Sequence, residues 1–535
     1  MADSSPETTV VDANIDHTDS KSTSRSGLVS AAGEKGDRDL EKGLEASSHD
    51  QNVDTEQSAD DPAANPSDRD PNIVDWDGPD DPMNPLNWSR KRKGTLVASI
   101  SIITFLTPLG SSIFAPGVPE VMREFNSSNP ELSSFVVSVY LLGFAFGPLI
   151  LAPLSELYGR MYIYHVCNVL FVVFNVACAV ANNLASLIIF RLLAGAAGSA
   201  PLTIGAGSMA DIIRQERRGA AMAAWAMGPI FGPIVGPIAG GYLTERMGWR
   251  WCFWLLSILA GAVVLNTLIF MRESYHPIIL QRKTNRLIKE TGNTNLRSRL
   301  ASDKTPRDLF AASIVRPCKM LLFSPIVLLM SVYTAIVYGY LYLLFTTISG
   351  VFMNQYGFSQ GNVGLAFLGL GIGSIVGLSI LGVASDRILQ ALAAKHGGEM
   401  KPEYRLPPLF VGSILLPVGL FWYGWSAKAN VHWMMPIVGT VWVGAGMMCV
   451  MMGVSAYLVD AFTLHSASAM AANTVLRSIF GAVLPLAGVR MYDTLGLGWG
   501  NSLLAFIAIG LAPVPGLFFK YGERIRTSKR FTVTF

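Results

Sequence analysis

Apolar and polar residues are arranged in long blocks along this chain rather than in short alternations. Beyond residue 94, apolar stretches of 20 residues or so recur, separated by short polar connections. A run of about 17–25 apolar residues is what a helix needs to cross the hydrocarbon of a bilayer. Such runs fall near 95–116, 132–154, 161–181, 184–206, 220–242, 250–271, 325–349, 362–384, 406–425, 433–456, 466–488 and 499–519. In hydrocarbon a spanning segment must satisfy its own backbone hydrogen bonds, which a helix does. The pattern therefore predicts an all-α polytopic membrane protein with twelve transmembrane helices. The eleventh run is the least apolar, because it contains Asn473 and Arg477.

Residues 1–89 break this pattern. They are rich in Ser, Asp, Glu, Thr and Asn and poor in aromatic and branched apolar residues. Such a segment buries too little surface to offset its ordering entropy, so a disordered acidic tail is expected. It has neither the basic start nor the apolar stretch of a secretory signal. Its end, Asp75 to Trp88, reads as a Pro-rich linker leading into the basic cluster Arg90-Lys91-Arg92-Lys93.

Composition agrees with the membrane reading: 51% of the chain is apolar and only 15% is charged, against about a quarter charged in soluble proteins. The net charge of +3 is a sum of opposed parts. The tail holds 21 Asp/Glu against 6 Lys/Arg, and the remainder 17 against 35. Of those 35 basic residues, 28 fall in alternate loops on one side and at the ends of the spanning region. Five fall on the other side, namely Arg123, Arg246, Arg250, Lys428 and Arg490. The positive-inside rule then places both termini in the cytoplasm.

The longest connection, about 272–324, is strongly basic and divides the spans six and six. The segment Ala152-Pro-Leu-Ser-Glu156 after span 2 has a counterpart in Gly382-Val-Ala-Ser-Asp386 after span 8, and Pro237 in span 5 has one in Pro485 in span 11. Two pseudo-symmetric six-helix halves are a transporter architecture. The expected organisation is a tail (1–89), an N-terminal half (90–271), a basic cytoplasmic loop (272–324), a C-terminal half (325–520) and a short basic tail (521–535).

Several residues stand out chemically. Loop 2–3 carries Glu156 and Arg160 around a turn at Gly159. Arg191 lies inside span 4, and a charge at that depth costs on the order of 3 kcal/mol unless it faces a cavity or a partner. In span 5, Gly228, Gly232, Gly236 and Gly240 recur every four residues, forming a smooth strip for close helix approach. Gly369, Gly373 and Gly377 repeat the device in span 8. Asn473 and Arg477 share one face of span 11 and read as cavity lining. Stacking surfaces for a broad substrate cavity are expected from Tyr140, Tyr338, Tyr342 and Trp442, with Tyr338 and Tyr342 favoured over Tyr340.

The five scattered cysteines suggest neither a disulfide framework nor a metal site. The membrane region has no HExxH spacing and no Walker phosphate loop. No cofactor, no metal and no nucleic-acid partner are expected, and the chain is not expected to be an enzyme.

Loop 2–3, Ala152-Pro-Leu-Ser-Glu156-Leu-Tyr-Gly159-Arg160, resembles the first motif of the major facilitator superfamily, with Ala152 replacing a glycine and Glu156 an aspartate. The resemblance implies an ion-pair cluster of Glu156, Arg160 and Asp211 that latches the two halves. Arg191-Leu-Leu-Ala-Gly195 resembles the family's span 4 motif, which is associated with proton coupling. The segment Gly232 to Gly241, with Gly236, Pro237 and Gly240, resembles the antiporter motif of drug:proton antiporters. It implies a span 5–span 8 contact, expected to place positions 236 and 373 within crosslinking reach in one transport state. Asn84-Pro85-Leu86-Asn87-Trp88, Arg272-Glu273-Ser274-Tyr275-His276-Pro277, Tyr457-Leu458-Val459-Asp460 and the surroundings of Asn473 are similar to the fungal twelve-span branch of that family.

The resemblance implies a proton-driven antiporter of the multidrug or azole-efflux type. It would export amphipathic small molecules by alternating access, as a monomer in the plasma membrane rather than the vacuolar one. A uniporter or symporter importing a nutrient or polyamine is the competing reading, and a polytopic membrane enzyme a more distant one. No Asp, Glu or His lies deep within a span. The titrating carrier is therefore sought at the cytoplasmic edge, in Glu156 and Asp211.

Overall fold

The computed structural model describes residues 71–214, 218–301, 305–395 and 400–528. Most of the acidic tail, residues 1–70, lies outside them. Among the described residues, eleven apolar helical stretches are long enough to cross a membrane. Those of the first half are Arg90–Glu124, Pro130–Tyr158, Arg160–Ala179, Leu184–Ile212, Ala224–Met247 and Arg250–Phe270. Those of the second half are Pro325–Tyr356, Asn362–Leu381, Pro402–Lys428, Met434–Ala461 and Ser466–Thr527.

The last stretch has 62 residues. At 1.5 Å per residue it would be about 90 Å long, three times the hydrocarbon thickness. It breaks at Gly496, whose φ of 70° and ψ of 169° lie outside the helical region, a conformation that glycine adopts without a Cβ penalty. Spans 11 and 12 meet there, which restores the count of twelve.

The repeat is visible in side-chain chemistry. At the inner end of the first half, Arg160 donates to Ser155 Oγ at 2.7 Å and pairs with Asp211 at 3.4 Å, joining spans 2, 3 and 4. In the second half Arg405 donates to Ser385 Oγ at 3.2 Å and pairs with Asp460 at 2.9 Å, joining spans 8, 9 and 10. The outward faces carry a belt of exposed apolar residues, among them Ile258, Leu265, Ile269, Ile414 and Phe506. In a membrane protein such a belt is the lipid-facing surface.

The stretch just before span 1 departs from the expectation of a linker. Ile73–Val74 pairs in parallel with Arg297–Ser298 of the central loop. Trp76 stands edge-on to His276, and Pro85–Asn87 packs on the inner end of span 4. The strap is tied to the loop helix His276–Thr291 by Lys283, whose side chain is buried. Its ammonium donates to Asp77 Oδ1 at 2.6 Å and to the Asp75 carbonyl at 2.8 Å, and lies 3.7 Å from Asp81 Oδ2. The Asp81 carboxylate in turn accepts the N–H groups of Asp77 and Met83. Burial pushes the Asp81 carboxyl up, but those two N–H groups and the Lys283 ammonium outweigh it and hold it below the usual carboxylate range. Acidic residues that looked like solvated tail thus bind a basic residue that looked like solvated loop.

Removing one partner of a buried ion pair strands the other, at a cost of about 3 kcal/mol. Lys283→Met is therefore expected to raise hydrogen exchange at residues 73–88 of the purified protein while leaving the spans protected. A lowered carboxyl adds stability that is complete above its unfolded value near pH ~3.9 and fades as pH falls through the folded value. The protection factor of the strap, corrected for intrinsic exchange, should accordingly be flat above about pH 5 and fall under stronger acid. Protection unchanged by Lys283→Met would refute the tie.

Candidate functional site: the boundary between the two halves

The boundary is closed on its outer side. Gln360 donates to the Pro116 carbonyl at 3.1 Å, and Ser138 to the Ala482 carbonyl at 2.8 Å. Ser111 Oγ meets the Tyr342 hydroxyl at 2.8 Å, and Tyr242 approaches Asn362 at 3.5 Å. Arg490 pairs with Glu131 at 2.8 Å, an exposed contact of small energetic value. Among the described residues, every hydrogen bond or ion pair joining the halves lies at or outside the midline. On the inner side the loop helix Pro306–Phe323 packs on both span 2 and span 11, which also pack directly on each other.

The span 5 glycines do not form the expected contact with the span 8 glycines. Gly228, Gly232, Gly236 and Gly240 lie on span 1. A Cβ at Gly232 would sit 2.8 Å from Leu109 N and Phe105 O, and one at Gly236 2.9 Å from Ile113 N. Gly369, Gly373 and Gly377 lie on span 10, against Ile437, Val441 and Ala445. Both strips therefore join helices within a half, and positions 236 and 373 face different partners. Spans 5 and 8 do meet, on another face. Gly241 abuts the Gln360 and Gly361 carbonyls (2.8 and 3.0 Å from an added Cβ), Gly364 abuts Pro237, and Gly371 abuts Ile234.

Two arginines sit within the spans, in different circumstances. Arg191 is fully buried, and its Nη2 donates to the carbonyls of Ser111 and Val137, both at 3.2 Å. Its guanidinium lies 5.0 Å from the Phe114 ring centroid, 5.5 Å from Tyr140 and 5.7 Å from Phe253. Cation–π attraction and carbonyl dipoles take the place of a carboxylate. Arg477 is half-buried and lies 5.4 Å from the Tyr338 ring. Tyr338 is 5.1 Å from Tyr342, whose hydroxyl meets Ser111. A continuous series, Arg477–Tyr338–Tyr342–Ser111–Arg191, thus crosses the boundary.

The other aromatic residues separate cleanly. Tyr140 is buried in the first half and donates to the Thr107 carbonyl at 2.8 Å, so it is a packing and bonding residue. Tyr340 points into span 12, donating to Leu504 O. Trp442 does not line the boundary. Val441 and Ala445 face span 8, Gly439 and Val443 face span 9, and Trp442 lies between those faces on the outside, 39% exposed.

At the inner face, Arg160 and Asp211 come together but Glu156 stays apart. It is exposed, with no bonded partner among the described residues. The carboxylate that completes the cluster is Glu273, which follows span 6. It accepts the backbone N–H groups of Arg160 (2.9 Å) and Met161 (3.3 Å), capping span 3 at its positive end. Gly159, with φ 99°, leaves room for it; a Cβ there would meet the Glu273 carboxylate. Tyr275 stacks on Arg160 at 4.7 Å. This cluster ties the inner ends within the first half, and no described contact carries it across to the second. The role of Glu273 was not legible from spacing, since its partners are 113 and 112 residues away.

No group of three or more His, Cys, Asp or Glu side chains placed to hold a metal occurs among the described residues. The family model described as Major Facilitator Superfamily matches residues 100–485. The chain belongs to that superfamily.

Several relatives among facilitators are fungal. It is 63% identical to "MFS-type transporter penM" of Penicillium rubens, over 87% of this chain and 92% of that one. It is 52% identical to "Efflux pump radE" of Floropilus chiversii, over 87% of each. In fold it resembles a partially occluded, inward-open conformation of the xylose transporter XylE from E. coli. That match has a TM-score of 0.59 at 15% identity, covering 81% of this chain and 98% of that one. This facilitator is therefore a multi-pass membrane transporter of the twelve-helix fold.

In this facilitator the span 5–span 8 seal, rather than the glycine strips, joins the two halves along these helices. Cysteines at 241 and 361, in a background without the native cysteines, are expected to crosslink with a short bifunctional reagent in the outer-closed state. The pair 236/373 is expected to give no product in any state. Crosslinking of 236/373 in preference to 241/361 would reverse the assignment.

Proposed function

We propose that this facilitator is a proton-driven antiporter that exports amphipathic small molecules, azole-type drugs or toxins among them, by rocking its two halves. The observation that carries the reading is the asymmetry of the boundary. Small-residue and polar contacts close the outer side, while on the inner side spans 2 and 11 meet through apolar packing and no hydrogen bond or ion pair is seen between the halves among the described residues. Alternating access requires a seal of this kind that can be exchanged from one side to the other. Intra-half glycine strips and the paired Arg160–Asp211 and Arg405–Asp460 clusters support motion of each half as a unit. Export is supported by the efflux function named for the relative in Floropilus chiversii. A monomer in the plasma membrane is the setting this reading takes.

Arginine does not titrate in the physiological range, so the exchanged proton needs a carboxylate. Asp211 is the favoured carrier over Glu156, because it is bonded to Arg160 inside the cluster that links spans 2, 3, 4 and 6, whereas Glu156 is exposed.

Expression in a yeast strain stripped of its own pumps is expected to lower accumulation of an azole or amphipathic dye, with a protonophore abolishing the effect. Uptake of a sugar or amino acid in its place would overturn the reading. Asp211→Asn is expected to remove export driven by a pH gradient while leaving downhill movement of the same dye. Full pH-driven export by that variant would eliminate Asp211 as the carrier.

A further inference from the structure

Span 11 carries its polar residues on one face. Asn473, Arg477 and Gly481 are spaced four apart and lie one above another. Gly481 fixes the direction of that face: a Cβ there would meet Leu141 of the first half at 2.7 Å and the Tyr338 ring at 2.9 Å. The face therefore looks onto the boundary between the halves. Arg477 lies one turn, and Asn473 two turns, to the cytoplasmic side of this contact, where no direct bond joins the halves among the described residues.

The bonding state of these two residues is unusual for their position. Asn473 is fully buried, yet neither its Nδ2 nor its Oδ1 has a hydrogen-bond partner among the described residues. Arg477 Nε is likewise buried without a partner, and the group against its guanidinium is the Tyr338 ring. Arg191 also leaves its Nε without a partner, but its guanidinium is otherwise enclosed by two carbonyl acceptors, three rings and full burial. Arg477 has no such set and remains half-open. The sequence supplies no Asp or Glu within span 11 or span 7 to balance it. A cation at this depth without a counter-charge is unfavourable, and a bidentate guanidinium is well matched to a carboxylate.

We propose that Arg477 and Asn473 form a subsite for an organic anion, and that the amphipathic molecules this protein moves include carboxylates. The guanidinium binds the carboxylate, Asn473 supplies a donor and an acceptor beside it, and the Tyr338 ring, backed by the buried Tyr342, receives the aromatic or apolar body. The inference rests on the exporter reading for what the site is used for, but the recognition itself is a property of binding.

Three dansyl compounds of similar body and different charge separate the possibilities: dansylglycine (anionic), dansylamide (neutral) and dansylcadaverine (cationic). With the purified full-length protein, fluorescence titration is expected to show dansylglycine binding about ten-fold more tightly than dansylamide, a ratio in the range of a charge-assisted contact. Arg477→Gln should bring that ratio to near one with dansylamide affinity kept, which serves as the folding control. Arg477→Lys should retain most of the preference, and Asn473→Leu should weaken the anion selectively. Equal affinities in the native protein, preference for dansylcadaverine, absence of binding by all three, or a ratio unchanged by Arg477→Gln would each overturn the subsite. Transport is read separately in proteoliposomes. Anion preference in binding without proton-driven movement of any compound would leave the subsite standing and remove the exporter reading.

Discussion

Hydrocarbon offers a polar group nothing to bind, and that single constraint orders the rest of this structure. Backbone groups are enclosed in helices, and the interior of the spans is almost free of ionisable side chains. The few charges that enter are placed with care. Arg191, on span 4, is neutralised by carbonyls and rings drawn from spans 1, 2 and 6. It therefore organises the first half around itself. Carboxylates are kept to the helix ends, where Asp211, Asp460 and Glu273 bond arginines or helix N-termini. Arg477 is the counter-example, a guanidinium left open on the face that looks across the boundary.

The same solvent gives no hydrophobic drive for helices to pair, so close contact must come from shape. Here glycine has two distinct assignments. The long strips in spans 5 and 8 bring backbones together within each half, on spans 1 and 10, where many residues are engaged in register. The span 5–span 8 contact between the halves is shorter, built from Gly241, Gly361, Gly364 and Gly371 toward the outer side, and it is accompanied by the packing of span 2 on span 11.

At the cytoplasmic face water is present and electrostatics takes over. The acidic strap before span 1 binds the basic helix of the central loop through Lys283. The cluster around Arg160 gathers the ends of spans 2, 3, 4 and 6. Together they brace the first half at the side where its helices would otherwise splay.

The twelve spans, their inside–outside order and the division into two halves were legible in the sequence, because they depend on local properties: run length, loop charge and repetition. The depth of Arg191 and the shared face of Asn473 and Arg477 followed from helical periodicity for the same reason. Which face meets which neighbour did not, since a glycine strip advertises a close contact without naming the partner. Hence the strip of Gly236 belonged to span 1, Trp442 turned outward, and Glu156 stood apart while Glu273 took its place. Nor could composition tell that Asp77 and Asp81 would close on Lys283, some two hundred residues away. Local free energy decides what becomes a helix and how deep each residue lies. The pairing of helices is a long-range choice among many similar apolar surfaces, and only the assembled tertiary structure makes it.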